Sequence, residues 1–119
     1  MEKSNYKETR DEKTNYVYLD PLPENQPHKY TMIFLHGLGD TPDGFRDTFM
    51  SAGLCPKNCR IVLPAAPTAP VTVNGGAPCT SWFDIYELTP QVIPEVAKIR
   101  SAINQEDLKR SVEVLNKLI

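Results

Sequence analysis

The sequence predicts an α/β fold in which helices cover a mostly parallel sheet. Two apolar runs, Met32–Leu35 and Cys59–Leu63, have the nearly uninterrupted hydrophobic pattern of strands that are buried on both faces. Helical patterns alternate with these runs: one begins at Asp43, and the other begins at Asn104 or Gln105. Alternating strands and helices are typical of βα units, whose strands run parallel.

Composition limits the chain to one domain and excludes several classes of protein. With 119 residues and a net charge of -2, it is long enough for a modest core, and nothing indicates binding to nucleic acid or to an anionic membrane. No apolar run approaches the ~20 residues of a transmembrane segment, and the charged start lacks the apolar middle of a signal peptide. A soluble protein of the cytoplasm, or else of the nucleus, is therefore expected.

Before the first apolar run the chain is polar. Residues 1–14 are highly charged, and we expect a flexible N-terminal extension there. Residues 15–19 (NYVYL) carry β-formers and suit a first strand. Three prolines then make residues 20–29 a turn or loop. The structured domain is expected to span residues 15–119.

A first helix is expected after the central apolar strand. Asp43 is placed to cap it, and Gly53 is placed to end it after about Ala52. Phe45, Phe49 and Met50 are its apolar positions. These spacings predict a helix with one apolar face.

The second half is predicted to be loop and helix. Prolines and two adjacent glycines make residues 64–78 a loop rather than an element. A short helical turn is expected within residues 90–101, and a longer helix from residue 104 or 105 runs to the last residue. Its apolar stripe, which is expected to face a sheet, consists of Leu108, Val112, Leu115 and Ile119.

The three cysteines are predicted to be reduced thiols. Cys55, Cys59 and Cys79 are odd in number, which argues against a disulfide framework. Three residues separate Cys55 from Cys59, and no second pair or nearby histidine completes a zinc site. No metal or other cofactor is expected.

The loop after Met32–Leu35 is the strongest functional signal. It reads His36-Gly37-Leu38-Gly39-Asp40-Thr41 and comes directly after a buried strand. Glycines there permit backbone conformations closed to other residues and let the main chain approach a ligand. Exposed backbone N–H groups in such a loop can donate to an anion.

This loop, HGLGDT, resembles the corresponding loop of the acyl-protein thioesterase, lysophospholipase and carboxylesterase family of α/β-hydrolases. A second region agrees in order and spacing: residues 60–67 (RIVLPAAP), 70–72 (PVT) and 81–85 (SWFDI). The resemblance runs from about Tyr16 to the C-terminus. It implies the N-terminal half of an incomplete α/β-hydrolase fold that ends before the nucleophile strand.

The resemblance also assigns roles within the loop. Such enzymes use a serine in G-x-S-x-G, then an acid and a histidine, with two backbone N–H groups that stabilise the oxyanion. The resemblance makes the backbone N–H of Leu38 one of these donors, and it implies that Leu38, Gly39 and Trp82 bind substrate. No G-x-S-x-G occurs in the sequence. The chain alone is therefore expected to be inactive.

The remaining polar candidates are better explained as structural residues. His36 and Gly37 brace the glycine loop in this interpretation, although a catalytic base at His36 is the alternative. Asp40 is expected to accept N–H bonds within the loop. Asp84 precedes any nucleophile, the reverse of the α/β-hydrolase order, so it is expected to hold a loop instead of serving as a triad acid.

Two further residues have open interpretations. Ser81 suits a turn hydroxyl better than a nucleophile. Trp82, the sole tryptophan, is either a core ring or part of an acyl pocket wall, and the resemblance favours the pocket wall.

Three functions remain compatible with the sequence. The first is the N-terminal part of a serine esterase or thioesterase acting on an acylated protein or a small ester. The second is a non-catalytic relative serving as a binding or structural subunit, and the third is one half of a split enzyme. Because the central strand would lack a neighbour, a protein partner covering that open sheet edge is expected, and the isolated chain is expected to be marginally stable.

Overall fold

A computed structural model describes residues 6–51, 54–87 and 101–119. The chain divides into two compact units, Met1–Ala65 and Ala66–Ile119, where the sequence predicted one domain from residue 15. The boundary falls in the proline-rich segment that follows the second apolar strand. Strands and helices occur in both units, and the predicted α/β class is confirmed.

The first unit is built on a four-stranded sheet. Its strands are β1 (Tyr6–Arg10), β2 (Val17–Pro21), β3 (Tyr30–Ile33) and β4 (Cys59–Leu63), in the order β1-β2-β4-β3. Only β3 and β4 pair in parallel, and helix α1 (Asp43–Ser51) lies between them in the chain as a crossover of that kind requires. The other two pairings are antiparallel, so the described sheet is mixed rather than mostly parallel.

The start of the chain is part of this sheet. Residues 6–10 pair in full register with β2, and a turn closed by the Asp11 carboxylate joins the two strands. The prediction of a flexible extension over residues 1–14 is therefore wrong for β1 and its turn. Charge had suggested disorder, but an edge strand needs few apolar residues, and here Tyr6 alone is buried.

The core of the first unit lies between the sheet and α1. Ile61 occupies its centre, because β4 pairs on both sides and sets Ile61 opposite Leu19 in β2 and Met32 in β3. Helix α1 contributes Phe49, whose ring meets that of Phe34 with centroids 5.2 Å apart. The buried members of this core are Tyr6, Val17, Leu19, Phe49, Cys59, Ile61 and Leu63.

Asp43, which the sequence predicted as the cap of helix α1, is its first helical residue. Phe49 is its buried residue, whereas Phe45 is 38% exposed and touches Phe34 with ring centroids 4.6 Å apart. The expected stop at Gly53 lies outside the described residues. The helix therefore covers the sheet with its second turn and leaves an aromatic ring near the surface at its first.

The second unit contains a hairpin that the sequence did not predict. Strands β5 (Thr68–Val71) and β6 (Ala77–Thr80) pair antiparallel, with Pro70 facing Pro78. Proline has no N–H to donate, so it fits an antiparallel ladder at positions where the two facing residues form no hydrogen bonds with each other. Gly75 and Gly76 turn the chain between the strands, with φ of 70° and 81°.

Helix α2 (Gln105–Asn116) ends the second unit. Of the two predicted caps, Asn104 and Gln105, the helix uses Asn104, whose side chain accepts the N–H of Asp107 at 3.0 Å. The helix stops three residues before Ile119, the predicted end. Its predicted core stripe is largely open: Val112 is 46% exposed and Ile119 93%. The helical turn expected within residues 90–101 falls almost entirely outside the described residues.

None of the helices in the described ranges is long and apolar enough to cross a membrane.

Candidate functional site

The loop after β3 contains a tight turn with Leu38 at its corner. The Asp40 N–H donates to the Gly37 carbonyl at 3.1 Å, which closes a four-residue β-turn. Gly39 has φ of 78°, while Leu38 has no positive φ. A type II turn has a negative φ at its first central residue and a φ of about +80° at its second. Leu38 is therefore the first central residue of a type II turn.

The backbone N–H of Leu38 lies outside the strands and helices of the described residues. The turn's own hydrogen bond uses the Asp40 N–H, and within the described part of the chain no acceptor is bonded to the N–H of Leu38. The Leu38 side chain is 43% exposed, so the loop lies at the surface of its unit. An N–H at such a position is a ready donor for an oxygen atom of a ligand.

The three glycines of this segment serve different purposes. Gly39 supplies the positive φ of the turn. At Gly44, in the first turn of α1, an added Cβ would lie 2.7 Å from Oδ2 of Asp40, so the Asp40 carboxylate would have to move to admit a side chain. Gly37 has neither constraint: no atom lies within 4 Å of an added Cβ, and its φ is not positive.

Gly39→Ala is expected to destabilise the loop, whereas Gly37→Ala is expected to be nearly neutral. An alanine held at positive φ costs about 1–2 kcal/mol. The midpoint of urea unfolding of the two variants, compared with wild type, measures the difference. Equal midpoints for both variants would show that the turn at Leu38 does not require a left-handed residue.

The buried ring of His36 supports the loop through a hydrogen bond. Its side chain is 4% exposed, and Nδ1 lies 2.8 Å from the Gly37 carbonyl oxygen. A carbonyl only accepts, so Nδ1 carries the proton in this bond. The ring thus holds the residue that opens the turn.

Asp40 ties the turn to the start of α1. Its Oδ1 accepts the N–H of Thr41 at 2.7 Å, and the same carboxylate packs over the Cα of Gly44. The Gly44 N–H in turn donates to the Thr41 carbonyl at 3.1 Å. Side chains therefore fix both ends of the Leu38 turn.

Asp84 performs a comparable task in the second unit. Its carboxylate accepts the Thr72 N–H at 2.8 Å and the Thr72 hydroxyl at 2.6 Å. Its backbone N–H donates to the Asp107 carboxylate at 3.0 Å, and its carbonyl accepts the Asn104 N–H at 2.9 Å. Residue 84 thereby joins the end of β5 to the first turn of α2, and sequence reasoning did not identify Thr72 or Asp107 as its partners.

The hydrogen bonds from Thr72 hold the pKa of Asp84 below its ordinary value of 3.8, because both donors favour the ionised carboxylate. The stabilisation is therefore complete above pH 3.8 and is lost as the pH falls through the lowered pKa. We expect Asp84→Asn to flatten this acid-side decline in the thermal unfolding midpoint of the second unit. Asp47→Asn, at a side chain that is 85% exposed in the first unit, should retain the wild-type profile.

Ser81 and Trp82 lie beside this junction. Ser81 is buried, and its N–H donates to the Pro67 carbonyl at 3.0 Å. Trp82 is half-buried, and its carbonyl accepts the Ser111 hydroxyl of α2. Trp82 thus belongs to the second unit, whereas Leu38 and Gly39 belong to the first.

The Cys59 thiol of the first unit is poorly suited to nucleophilic attack. Cys59 is 3% exposed, and burial together with the neighbouring Cys55 thiol raises its pKa. Across the described ranges, no three side chains from His, Cys, Asp and Glu come together as metal ligands.

The Phospholipase/Carboxylesterase family model matches residues 22–117. An acyl-protein thioesterase 1 from Mycosarcoma maydis is 38% identical over 91 residues, which cover 75% of this chain and 35% of the relative. A probable inactive carboxylesterase from Oryza sativa is 32% identical over 104 residues, covering 85% and 39%.

Solved structures agree with these relatives. The crystal structure of Zea mays acyl-protein thioesterase 2 superposes with a TM-score of 0.56 at 34% identity, covering 65% of this chain and 31% of that protein. This chain therefore spans between three and four tenths of the length of the relatives that it matches. The strands and helices described above form part of an α/β-hydrolase fold, and the chain belongs to the Phospholipase/Carboxylesterase family.

Proposed function

We propose that this chain contributes the oxyanion loop of a serine hydrolase that cleaves thioester or carboxylic ester bonds of acyl chains. The observation that carries this proposal is the Leu38 N–H, which lies at the corner of a braced turn and has no acceptor within the described residues. Membership of the family supports the same reaction class.

The proposed reaction is acyl transfer. A serine hydroxyl attacks the acyl carbonyl, a histidine takes its proton, and the carbonyl oxygen becomes negative in the tetrahedral intermediate. Donors placed about 2.7–3.1 Å from that oxygen stabilise it, and Leu38 would supply one. The thiol or alcohol then leaves with the histidine's proton, and water releases the acid. The serine, the acid and the histidine are proposed to come from outside these 119 residues.

Apolar side chains around the turn favour an acyl chain as the substrate. Leu35 and Leu38 are each 43% exposed, and Phe45 is 38% exposed. Burying such side chains against a hydrocarbon chain contributes about 25 cal/mol per Å² of apolar surface. We propose that Gly39 and Trp82 also contact the substrate, which is an acyl chain on a protein, a small alcohol or a lysophospholipid, and that the reaction takes place in the cytoplasm.

Two measurements test this proposal. The 119-residue chain alone is expected neither to hydrolyse p-nitrophenyl esters nor to react with a fluorophosphonate probe. A chimera, in which this chain replaces the aligned segment of the Mycosarcoma maydis acyl-protein thioesterase, is expected to hydrolyse the ester and to be labelled. Labelling of the isolated chain, or a folded chimera without turnover, would contradict the proposal.

A non-catalytic role is the second candidate, and one relative favours it. The Oryza sativa relative, whose alignment covers 85% of this chain, is named a probable inactive carboxylesterase. Strand β3 is also one of the two edge strands of the described sheet, and Tyr30 on it is 55% exposed. In this role a protein partner would pair with the open edge of β3. A partner that co-purifies with the wild-type chain, but not with a variant carrying Thr31→Pro in β3, would support it.

A further inference from the structure

Three sulfur atoms lie near the start of β4, where Cys55 and Cys59 are close to Met32 of β3. The Cys55 thiol lies 3.4 Å from the Met32 thioether sulfur. The Cys59 thiol interacts with that of Cys55 and donates to the Arg60 carbonyl at 3.5 Å. Met32 and Cys55 pack against the main core of the first unit, and Cys59 belongs to it. Because Met32 lies 23 residues before Cys55, spacing between cysteines gave no sign of this third sulfur.

The backbone around these sulfurs is well defined. The Cys59 N–H donates to the Pro56 carbonyl at 3.0 Å, which folds the segment between the two cysteines into a turn. The Tyr6 hydroxyl donates to the same carbonyl at 3.4 Å, so strand β1 holds this turn. Met32 and Cys59 lie on adjacent strands that pair in parallel, with Tyr30 opposite Cys59. The cluster is thus held by the sheet as well as by the turn.

We propose that Met32, Cys55 and Cys59 form a binding site for a single Cu(I) ion. Thiolate and thioether sulfurs are the ligands that select soft ions such as Cu(I). With metal–sulfur bonds of about 2.3 Å, three ligands around one ion stand about 3.8–4.0 Å apart. The 3.4 Å between Cys55 and Met32 needs to open by only about half an ångström, which a methionine side chain accommodates by rotation.

The donor set distinguishes Cu(I) from zinc. Structural zinc sites use four ligands drawn from thiolate, imidazole and carboxylate, and the described residues bring together no such group. Cu(I) binding here changes no oxidation state: both thiols give their protons to solvent, two Cu–thiolate bonds and one Cu–thioether bond form, and the cluster gains one negative charge overall. The proposed Cu(I) site shares no residue with the Leu38 turn, and Cu(I) binding does not depend on the proposed hydrolase reaction.

The test measures Cu(I) retention by the full, reduced 119-residue chain under anaerobic competition with bicinchoninate. Wild type and the control variant Cys79→Ser, which alters the thiol of the second unit, are expected to hold one Cu(I) per chain. Cys55→Ser and Cys59→Ser are expected to bind Cu(I) at least about 100-fold more weakly than wild type. Replacing a residue that only hydrogen-bonds to a metal ligand already lowers metal affinity by about 10- to 100-fold. Equal retention by wild type and both serine variants would overturn the proposal.

Met32→Leu provides a variant that conserves volume and is expected to fold. It should weaken Cu(I) binding by about 10-fold, because two thiolates remain. X-ray absorption at the copper edge should show three sulfur neighbours in wild type and two in Met32→Leu. Two sulfur neighbours in both proteins, with unchanged affinity, would exclude Met32 as a ligand and overturn the three-sulfur site.

Discussion

Leu38→Pro in the active chimera is expected to lower kcat for p-nitrophenyl ester hydrolysis by about 10²–10³-fold, the usual effect of removing one oxyanion donor. Proline has no N–H, so the substitution deletes the proposed donor. Its fixed φ suits the first central position of a type II turn, where Leu38 lies, so the turn itself should survive. KM should change little, since the lost bond strengthens only in the transition state.

Leu38→Ala is the matched control for this variant. It shortens a side chain that is 43% exposed but keeps the backbone N–H. We expect kcat to remain near that of the chimera, with KM increased for long acyl esters because apolar contact is lost. If alanine and proline lower kcat equally, the side chain rather than the N–H matters, and the oxyanion role of Leu38 is wrong.

Ile61→Ala is expected to cost about 2–5 kcal/mol of the free energy of unfolding, the range for large-to-small changes in cores. Ile61 is fully buried and packs in the strand that joins β2 to β3. Small domains are stabilised by only about 5–15 kcal/mol in total, so much of the first unit's stability is removed. Urea unfolding followed by far-UV circular dichroism measures this loss.

Val112→Ala serves as the comparison for the core variant. The sequence predicts Val112 as part of a buried helical stripe, but the side chain is 46% exposed in α2. A surface change of this kind alters the free energy of unfolding by about 0.5 kcal/mol or less. A loss as large as that of Ile61→Ala would mean that Val112 is covered in solution.

Elements whose apolar pattern is local were predicted well from the sequence. Strand β4 has the predicted bounds, Cys59–Leu63, and α1 begins at Asp43, the residue predicted to cap it. In both cases neighbouring residues decide the outcome: a run of buried aliphatic side chains for the strand, and an acidic residue at the start of the helix.

Elements that depend on distant pairing were missed. Strand β1 has a charged sequence with one buried residue, so only the edge of β2 explains why it is extended. The β5–β6 hairpin contains Pro70 and Pro78, which argue against strands when considered singly and are compatible only as a facing pair. Propensity cannot detect such compensation between two segments.

The candidate site was predictable in its backbone but not in its side-chain partners. The strand-and-glycine pattern located the turn at Leu38, because Gly39 supplies a conformation that few other residues adopt. The Asp84–Thr72 pair and the Met32–Cys55 contact were not predictable, since they join residues 12 and 23 positions apart through the tertiary fold.

The pairing of β1 with β2 bears on how this protein is produced in the laboratory. The charged sequence of residues 1–14 suggests that they could be omitted when the protein is expressed. Expression from residue 15 onward would remove Tyr6 from the core and expose one edge of β2. A newly bared strand edge recruits other chains. If the shortened protein is insoluble, we attribute this to the loss of strand β1. Purification tags should therefore not be placed next to Tyr6.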